Sequence, residues 1–381
     1  EMVTMAPKSL LVRFLMLLFV SSVVSAKMRP RPDSFTTFQQ RYIVNSKYWG
    51  GANTSSPIFV YLGAESSIDA QIDTIRLDYY GPKFSALLVY IEHRYYGSSV
   101  PFGSWEEAFS NTTTLGYFNS AQALADYAEL IVNLKSNLSA ETCPVIVIGG
   151  SYGGMLASWF RLKYPHIAIG ALASSAPILD TDNILPEDYV YVIVSKDFQE
   201  ASKSCYDTIQ QSWSIIDSHD KNDLAFLTQK FKLCDPLNTS SELKDYLETI
   251  YCYAAQYDTQ YDYAQLPISL VDSICQGVDG VSNESDILRR IVAGLDAAYR
   301  GEQSCYDINE YYPPNDQTIL GWNWQLCTDM ITASGRTHNN TMFQISPHDQ
   351  NEFIEECRQI YGATLTPRPH WIVTEFGGHD I

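Results

Sequence analysis

The segment from Pro144 to Pro165, PVIVIGGSYGGMLASWFRLKYP, constrains the fold of this chain more than any other. Val145 to Ile148 are apolar throughout, as expected for a central parallel strand that is covered on both faces. Gly149, Ser151 and Gly153 follow in the pattern G-x-S-x-G, and a helix-like segment comes next. This order predicts a nucleophile elbow, in which a serine occupies a sharp strand-to-helix turn with its hydroxyl exposed.

Small residues make this turn chemically useful. Gly149 and Gly153 lack the Cβ atoms that would collide where strand and helix meet, so Ser151 can hold a strained backbone conformation. The N–H of Tyr152, at the start of the helix, would then point at the oxygen that becomes negative during acyl transfer. A glycine-rich turn in any α/β protein is the structural alternative.

Composition limits the class of protein. The chain has 381 residues, 45% of them hydrophobic, which is enough for a large core and for two domains. Its formal net charge of −19 argues against nucleic acid as a partner. An acidic protein loses self-repulsion as the pH falls toward its isoelectric point, which suits an acidic compartment.

The first residues resemble a secretory signal. Lys8 and Arg13 accompany an apolar run from Leu10 to Val24, and Val24-Ser25-Ala26 has the small-x-small form of a cleavage site. We expect a signal peptide over residues 1–26. A membrane anchor is the alternative, but the run is shorter than the ~20 apolar residues that a span requires.

Acceptor sequences for N-glycosylation agree with this route. They occur at Asn53, Asn111, Asn137, Asn238, Asn283 and Asn339. We therefore expect a protein of the secretory pathway that resides in a vacuole or lysosome or outside the cell.

Cysteine usage supports an oxidising compartment. The eight cysteines are an even number, and all except Cys143 lie at or beyond Cys205. We expect disulfides in the second half and a buried free thiol at Cys143. No C-x-x-C pair occurs, which argues against zinc. We expect no metal and no cofactor.

Apolar runs alternate with helical periodicity in the first half. The expected strands are Pro57 to Gly63, Ala86 to Ile91, Val145 to Ile148 and Ile167 to Ala173. The clearest helix is Ser120 to Leu138, with an apolar face predicted from Ala121, Leu124, Ala125, Ala128, Ile131 and Val132. Alternation of this kind predicts an α/β fold with a mostly parallel sheet.

The pattern of the sequence changes after Pro177. Amphipathic, tyrosine-rich stretches such as Leu243 to Tyr257 and Asp286 to Tyr299 follow, which predict a helical, disulfide-braced insertion over residues 180–359. The expected domains are thus a core over 27–179, the insertion, and a returning core over 360–381. One continuous mixed domain is the alternative.

Blocks along nearly the whole chain resemble a known family. They include TFQQRY at Thr37, IEHRYYG at Ile91, the elbow GGSYGGMLASWFR, ASSAP at Ala173, and Leu320-Gly321-Trp322 with Gln325 and Cys327. The chain resembles the lysosomal prolylcarboxypeptidase and dipeptidyl peptidase family of serine exopeptidases, and most of all its plant members.

That resemblance implies an α/β-hydrolase core with an inserted helical cap. It implies Ser151 as the nucleophile and the Tyr152 N–H as one oxyanion donor, with Ala64 as the second by analogy with other α/β-hydrolases. Met155 and Glu65 are expected to contact substrate, and packing of the helix onto the sheet is a close alternative for Met155.

The resemblance also implies which cysteines form disulfides. It pairs Cys205 with Cys275, Cys234 with Cys305, and Cys327 with Cys357, and it assigns no partner to Cys143 or Cys252. Glu92 and Arg94 are expected to form a buried ion pair at the end of a strand, with substrate contact as the alternative.

The catalytic acid and base follow the cap in this family, in the order Ser, Asp, His. The corresponding blocks do not occur before Ile381, so the sequence predicts a chain truncated near its C-terminal end and inactive by itself. His93, His166 and the adjacent His379 and Asp380 are alternative bases that we do not expect to serve.

The expected function is therefore that of a serine exopeptidase that cleaves peptides after proline through an acyl-enzyme. Release of one C-terminal residue and release of an N-terminal dipeptide remain open, as does a homodimer. No membrane contact is expected after signal cleavage. A non-catalytic binding relic, or a splice or gene-model fragment, is the alternative.

Overall fold

The computed structural model describes most of the chain. The described residues are 21–27, 37–72, 77–180, 184–220, 223–258, 269–282, 285–301, 303–311, 316–331, 335–338, 340–362 and 364–378. The chain divides into two compact units. Unit 1 comprises Glu1–Ile184, Gln317–Thr332 and Asn351–Ile381, and unit 2 comprises Leu185–Asp316 and Ala333–Gln350.

The described part of unit 1 contains a mostly parallel sheet. Its strands in chain order are β1 (Ser21–Lys27), β2 (Thr37–Asn45), β3 (Ile58–Leu62), β4 (Leu87–Ile91), β5 (Val145–Gly150) and β6 (Gly170–Ser174). Their spatial order is β1-β2-β4-β3-β5-β6. The β1–β2 and β2–β4 pairs are antiparallel, and the other three pairs are parallel.

Both faces of the central strands are covered. Ile58, Val60 and Leu62 of β3 pack in one apolar cluster, while Phe59 and Tyr61 pack in another. Because alternate side chains of a strand point to opposite faces, the sheet lies between two apolar layers. The α/β architecture predicted from the sequence is confirmed.

The helices are given in three groups, which lie before Leu185, within Leu185–Asp316 and after Asp316. Those before it are α1 (Ile68–Ile72), α2 (Leu77–Phe84), α3 (Trp105–Ala108), α4 (Thr112–Leu115), α5 (Ser120–Asn137) and α6 (Tyr152–Lys163). Those of unit 2 are α7 (Tyr189–Ala201), α8 (Lys203–Ser218), α9 (Leu224–Lys230), α10 (Ser240–Gln256), α11 (Leu270–Asp279) and α12 (Ile287–Ala298). The last are α13 (Gln317–Thr328), α14 (Gln350–Tyr361) and α15 (Trp371–Phe376).

The helix predicted at Ser120 is present as α5, but its buried face differs in part. Leu124, Ala128 and Ile131 are buried as expected, whereas Ala125 is exposed and Val132 is 51% exposed. Tyr127 is fully buried in the core beneath the sheet instead. The apolar residues alone therefore predicted the wrong centre for the buried face of α5, because a tyrosine lies at that centre.

Strand β6 is one of the two edge strands of the described sheet and pairs with β5. Leu172 is 53% exposed, and the neighbouring Ile169 is 64% exposed. An apolar strand with an unpaired edge is a template for pairing with another chain.

Unit 2 is helical and braced by disulfides. Its apolar cluster includes side chains from each of α7 to α12. Cys205–Cys275 and Cys234–Cys305 are formed here, and Cys327–Cys357 is formed in unit 1. These are the pairs that the family resemblance implied, and the described Cys143 and Cys252 are free thiols.

The division of the chain differs from the single insertion expected over residues 180–359. Residues 317–332 and the chain from 351 onward group with unit 1, so the chain leaves unit 2 twice. In α13, Trp324 donates from Nε1 to the carbonyl of Phe118 at 3.1 Å. The pattern of an amphipathic helix predicts that one of its faces is buried, but it does not predict which unit that face packs against.

Residues 1–20 of the predicted signal peptide lie outside the described residues, and cleavage after Ala26 would remove most of β1. Among the described helices, none is long and apolar enough to cross a membrane. Of the predicted glycosylation sites, Asn53, Asn111, Asn137 and Asn238 are exposed, whereas Asn283 and Asn339 lie outside the described residues.

Candidate active site

The G-x-S-x-G turn joins β5 to α6 and strains the backbone of Ser151. Its φ and ψ are 52° and −127°, a region that L-residues rarely adopt. A Cβ on Gly149 would lie 1.9 Å from the carbonyl oxygen of Gly153, and a Cβ on Gly153 would lie 2.9 Å from that of Leu62. The motif thus forms because only glycine permits these approaches.

The surroundings of Ser151 leave its hydroxyl open. Its N–H donates to the Ser174 carbonyl at 3.0 Å, and its carbonyl accepts from the Met155 N–H at 3.1 Å. The residue is exposed, and its Oγ makes no capping bond to α6. Within the described part of the chain, the Tyr152 N–H also has no hydrogen-bond acceptor. An exposed serine hydroxyl and an unoccupied backbone N–H therefore lie side by side.

Ala64 lies beside the elbow, but its N–H is occupied. An ideal Cβ on Gly153 would be 3.3 Å from the Ala64 Cβ, which places the β3 loop against the turn. The Ala64 N–H donates to Gln71 Oε1 at 3.1 Å. Its expected role as the second oxyanion donor requires the Gln71 side chain to move away.

Met155 is buried, and Glu65 is partly buried. Burial raises the pKa of Glu65, and its Oε2 has no hydrogen-bond partner among the described residues. Met155 is 2% exposed and packs in the core beneath the sheet, in the arrangement that core packing predicts. Substrate contact by either residue stays a prediction.

Glu92 and Arg94 are buried, but they do not pair with each other. Arg94 forms a bidentate pair with Asp126 of α5, with two N–O distances of 2.6 Å. Glu92 accepts from Ser99 Oγ at 2.7 Å and lies 3.7 Å from Arg41. The expected ion pair was wrong because the two charges find partners on different elements.

Neither His93 nor His166 makes a described hydrogen bond to Ser151. His93 is fully buried, and burial lowers its pKa to about 3. Its Nδ1 lies 2.6 Å from the Arg94 carbonyl oxygen, and its Nε2 lies 3.1 Å from the Tyr152 hydroxyl, so both nitrogens are engaged. His166 is exposed beside Tyr164. His379 and Asp380 lie outside the described residues.

Unit 2 contains an acid and histidine pair that sequence reasoning missed. His338 Nδ1 lies 2.7 Å from Asp188 Oδ2, and Asp188 is buried. The two residues are 150 positions apart, so no local pattern could have joined them.

A buried carboxyl group also lines a cavity of about 410 Å³ in unit 1. Asp329 is 1% exposed and pairs through Oδ1 with Arg368, while its Oδ2 lacks a partner among the described residues. Burial raises the pKa of Asp329 to about 6. Ser151 does not line this cavity. No described cluster of three or more His, Cys, Asp or Glu side chains could hold a metal ion.

The strand order, with an elbow after β5, defines an α/β-hydrolase. The model of the family described as serine carboxypeptidase S28 matches residues 31–377. The human lysosomal Pro-X carboxypeptidase is 37% identical over 365 residues, covering 92% of this chain and 71% of that protein. The mouse protein of the same name is 36% identical, covering 91% and 71%.

A more distant relative is matched over a similar share of the chain. Prolyl carboxy peptidase like protein 5 of Caenorhabditis elegans is 32% identical, covering 87% of this chain and 69% of that protein. The chain therefore belongs to the serine carboxypeptidase S28 family, and it is a serine peptidase whose substrates are peptides.

Proposed function

We propose that this protein is an exopeptidase that cleaves next to proline, with Ser151 as its nucleophile. The observation that carries the proposal is the strained elbow, which exposes Ser151 beside an unoccupied backbone donor. The relatives named Pro-X carboxypeptidase support the preference for proline. In the reaction, Ser151 Oγ attacks the peptide carbonyl, and the Tyr152 N–H stabilises the oxyanion that forms.

The proton of Ser151 must pass to a general base before the leaving group departs. His93 cannot take it, because both of its nitrogens are engaged away from Ser151. We infer that neither His93 nor His166 is that base. Without a base in contact with Ser151, the described chain is a poor catalyst, although it carries the proposed nucleophile.

We also propose a secretory or lysosomal location. The apolar N-terminal run, the glycosylation sequences and the three disulfides favour passage through an oxidising lumen. The relatives named lysosomal agree with an acidic destination.

The test is a peptidase assay on the product of the full coding sequence, with Ser151→Ala as the control. One substrate is an N-blocked peptide ending in Pro-Phe, matched by one ending in Ala-Phe. The other is a free-amine Xaa-Pro chromophore. Release of phenylalanine identifies a carboxypeptidase, and release of the chromophore identifies a dipeptidyl peptidase. Cleavage of neither substrate overturns the proposal.

A non-catalytic binding protein is the second candidate for the 381-residue chain, because neither His93 nor His166 makes a described hydrogen bond to Ser151. A fluorophosphonate probe separates the two, since it labels only an activated serine. Labelling at Ser151 supports the peptidase, and absence of labelling supports the binding protein, with Ser151→Ala as the control.

A further inference from the structure

The hydroxyl of Tyr152 is the centre of a buried hydrogen-bond network. It lies 3.1 Å from His93 Nε2, 3.0 Å from Ser120 Oγ and 2.7 Å from Gln325 Nε2. Gln325 Oε1 in turn accepts from the Tyr96 hydroxyl at 2.6 Å. All five side chains are buried.

The geometry permits one arrangement of protons. The Arg94 carbonyl can only accept, so His93 Nδ1 carries the proton and Nε2 is left as an acceptor. The Tyr152 hydroxyl therefore donates to His93 Nε2. Its oxygen then accepts from Ser120 Oγ and Gln325 Nε2, so every member is satisfied.

Four parts of unit 1 meet at this hydroxyl. His93 follows β4, Ser120 begins α5, Tyr152 begins α6, and Gln325 lies in α13. The Tyr152 ring also packs against Trp322, with the ring centroids 5.5 Å apart. A fully satisfied buried network of this kind fixes one position for the group at its centre.

That fixed group belongs to the residue next to the strained serine. Unusual backbone conformations persist only where the surrounding structure over-determines them. The backbone bonds of Ser151 hold one side of the turn, and the side chain of Tyr152 holds the other. An oxyanion donor is effective only when it is preorganised, because a misplaced donor loses much of its stabilisation of the transition state.

We propose that His93, Ser120 and Gln325 are positioning residues that hold Tyr152 in place, and with it the N–H that stabilises the oxyanion. This inference rests on the proposed function, since it assigns the network to acyl transfer at Ser151. His93 then acts as a neutral acceptor rather than as an acid or base.

The test compares His93→Leu, which removes the acceptor, with His93→Gln, whose amide oxygen can accept from Tyr152 at the same place. Ser120→Ala is a milder variant that removes one donor. Tyr95→Phe is the matched control, because it removes a buried hydroxyl that donates to the Thr114 carbonyl instead. Each variant of the full product is assayed per active site, as titrated with a fluorophosphonate.

We expect His93→Leu to lower kcat by about 10-fold to 100-fold with KM within about 2-fold, because a displaced donor weakens binding of the transition state and not of the substrate. His93→Gln should recover most of kcat, and Ser120→Ala should lower it by less. An unchanged kcat per site in His93→Leu overturns the proposal, as does an equal fall in Tyr95→Phe.

A second measurement does not depend on peptidase activity. Hydrogen exchange in the 381-residue chain reports how firmly residues 149–160 are held. Faster exchange there in His93→Leu, but not in His93→Gln or Tyr95→Phe, supports the anchoring even if the protein cleaves no peptide and the proposed function fails. Unchanged exchange contradicts it.

Discussion

Three consecutive polar residues, Glu92, His93 and Arg94, are buried where β4 ends. Each is satisfied by a different part of the chain, and Arg94 depends on Asp126 of α5. A buried ion pair is only marginally favourable as a whole, because desolvation offsets most of the attraction. Removal of one partner is costly, since it leaves a charge buried and unpaired.

Asp126→Asn should therefore lower the free energy of unfolding by about 3–5 kcal/mol, measured from urea unfolding curves. The double variant Asp126→Leu with Arg94→Met should recover more than half of that loss. Glu355→Gln is the control, because its pair with Arg358 is at the surface and should be worth less than about 1 kcal/mol. Equal effects of Asp126→Asn and Glu355→Gln would contradict this interpretation.

Helices α11 and α12 of unit 2 pack closely against each other where each carries a glycine. A Cβ on Gly277 would lie 2.4 Å from the carbonyl oxygen of Ala293 and 2.9 Å from the Cβ of Ala297. On α12, a Cβ on Gly294 would lie 2.8 Å from a methyl carbon of Val278. Residues without side chains thus set the distance between the two helices.

Gly277→Ala should destabilise the protein, although alanine is the better helix former by about 1 kcal/mol. The added methyl group must push the helices apart, so we expect a net loss of about 1–3 kcal/mol. Gln276→Ala on the exposed side of α11 is the control and should change stability little. A rise in the thermal midpoint of Gly277→Ala would show that the approach is looser than described.

For the whole molecule, the acidic composition and the burial of two carboxyl groups both make the folded state more stable at lower pH. The formal net charge is −19, so repulsion falls as the pH drops toward the isoelectric point. Burial also raises the pKa values of Asp180 and Asp329 to about 6. A carboxyl group whose pKa is higher in the folded state contributes stability below its unfolded value, and this contribution is lost as the pH rises through its folded value.

The protein should accordingly be more stable at pH 5 than at pH 7. For Asp329, a pKa of about 6 against an ordinary 3.8 corresponds to about 3 kcal/mol over the whole titration, of which about 1 kcal/mol is lost between pH 5 and pH 7. Asp329→Asn should flatten the pH dependence, measured by urea unfolding at both values. A wild-type protein that is more stable at pH 7 would contradict the interpretation, and it would weaken the proposal of an acidic compartment.

The sequence by itself determined the parallel strands, the long helix before the elbow and the position of Ser151. These features depend on local periodicity and on small residues at fixed spacing, which neighbouring positions encode. The disulfide pairs came from the resemblance to a family.

Only the tertiary structure decided which distant groups meet. It paired Arg94 with Asp126 rather than Glu92, engaged the Ala64 N–H with Gln71, and gathered His93 and Gln325 around Tyr152. Such partners come from elements far apart in the chain. The physical reason is that a buried polar group is satisfied by whatever packing brings to it, and the residues next to it in sequence do not specify that packing.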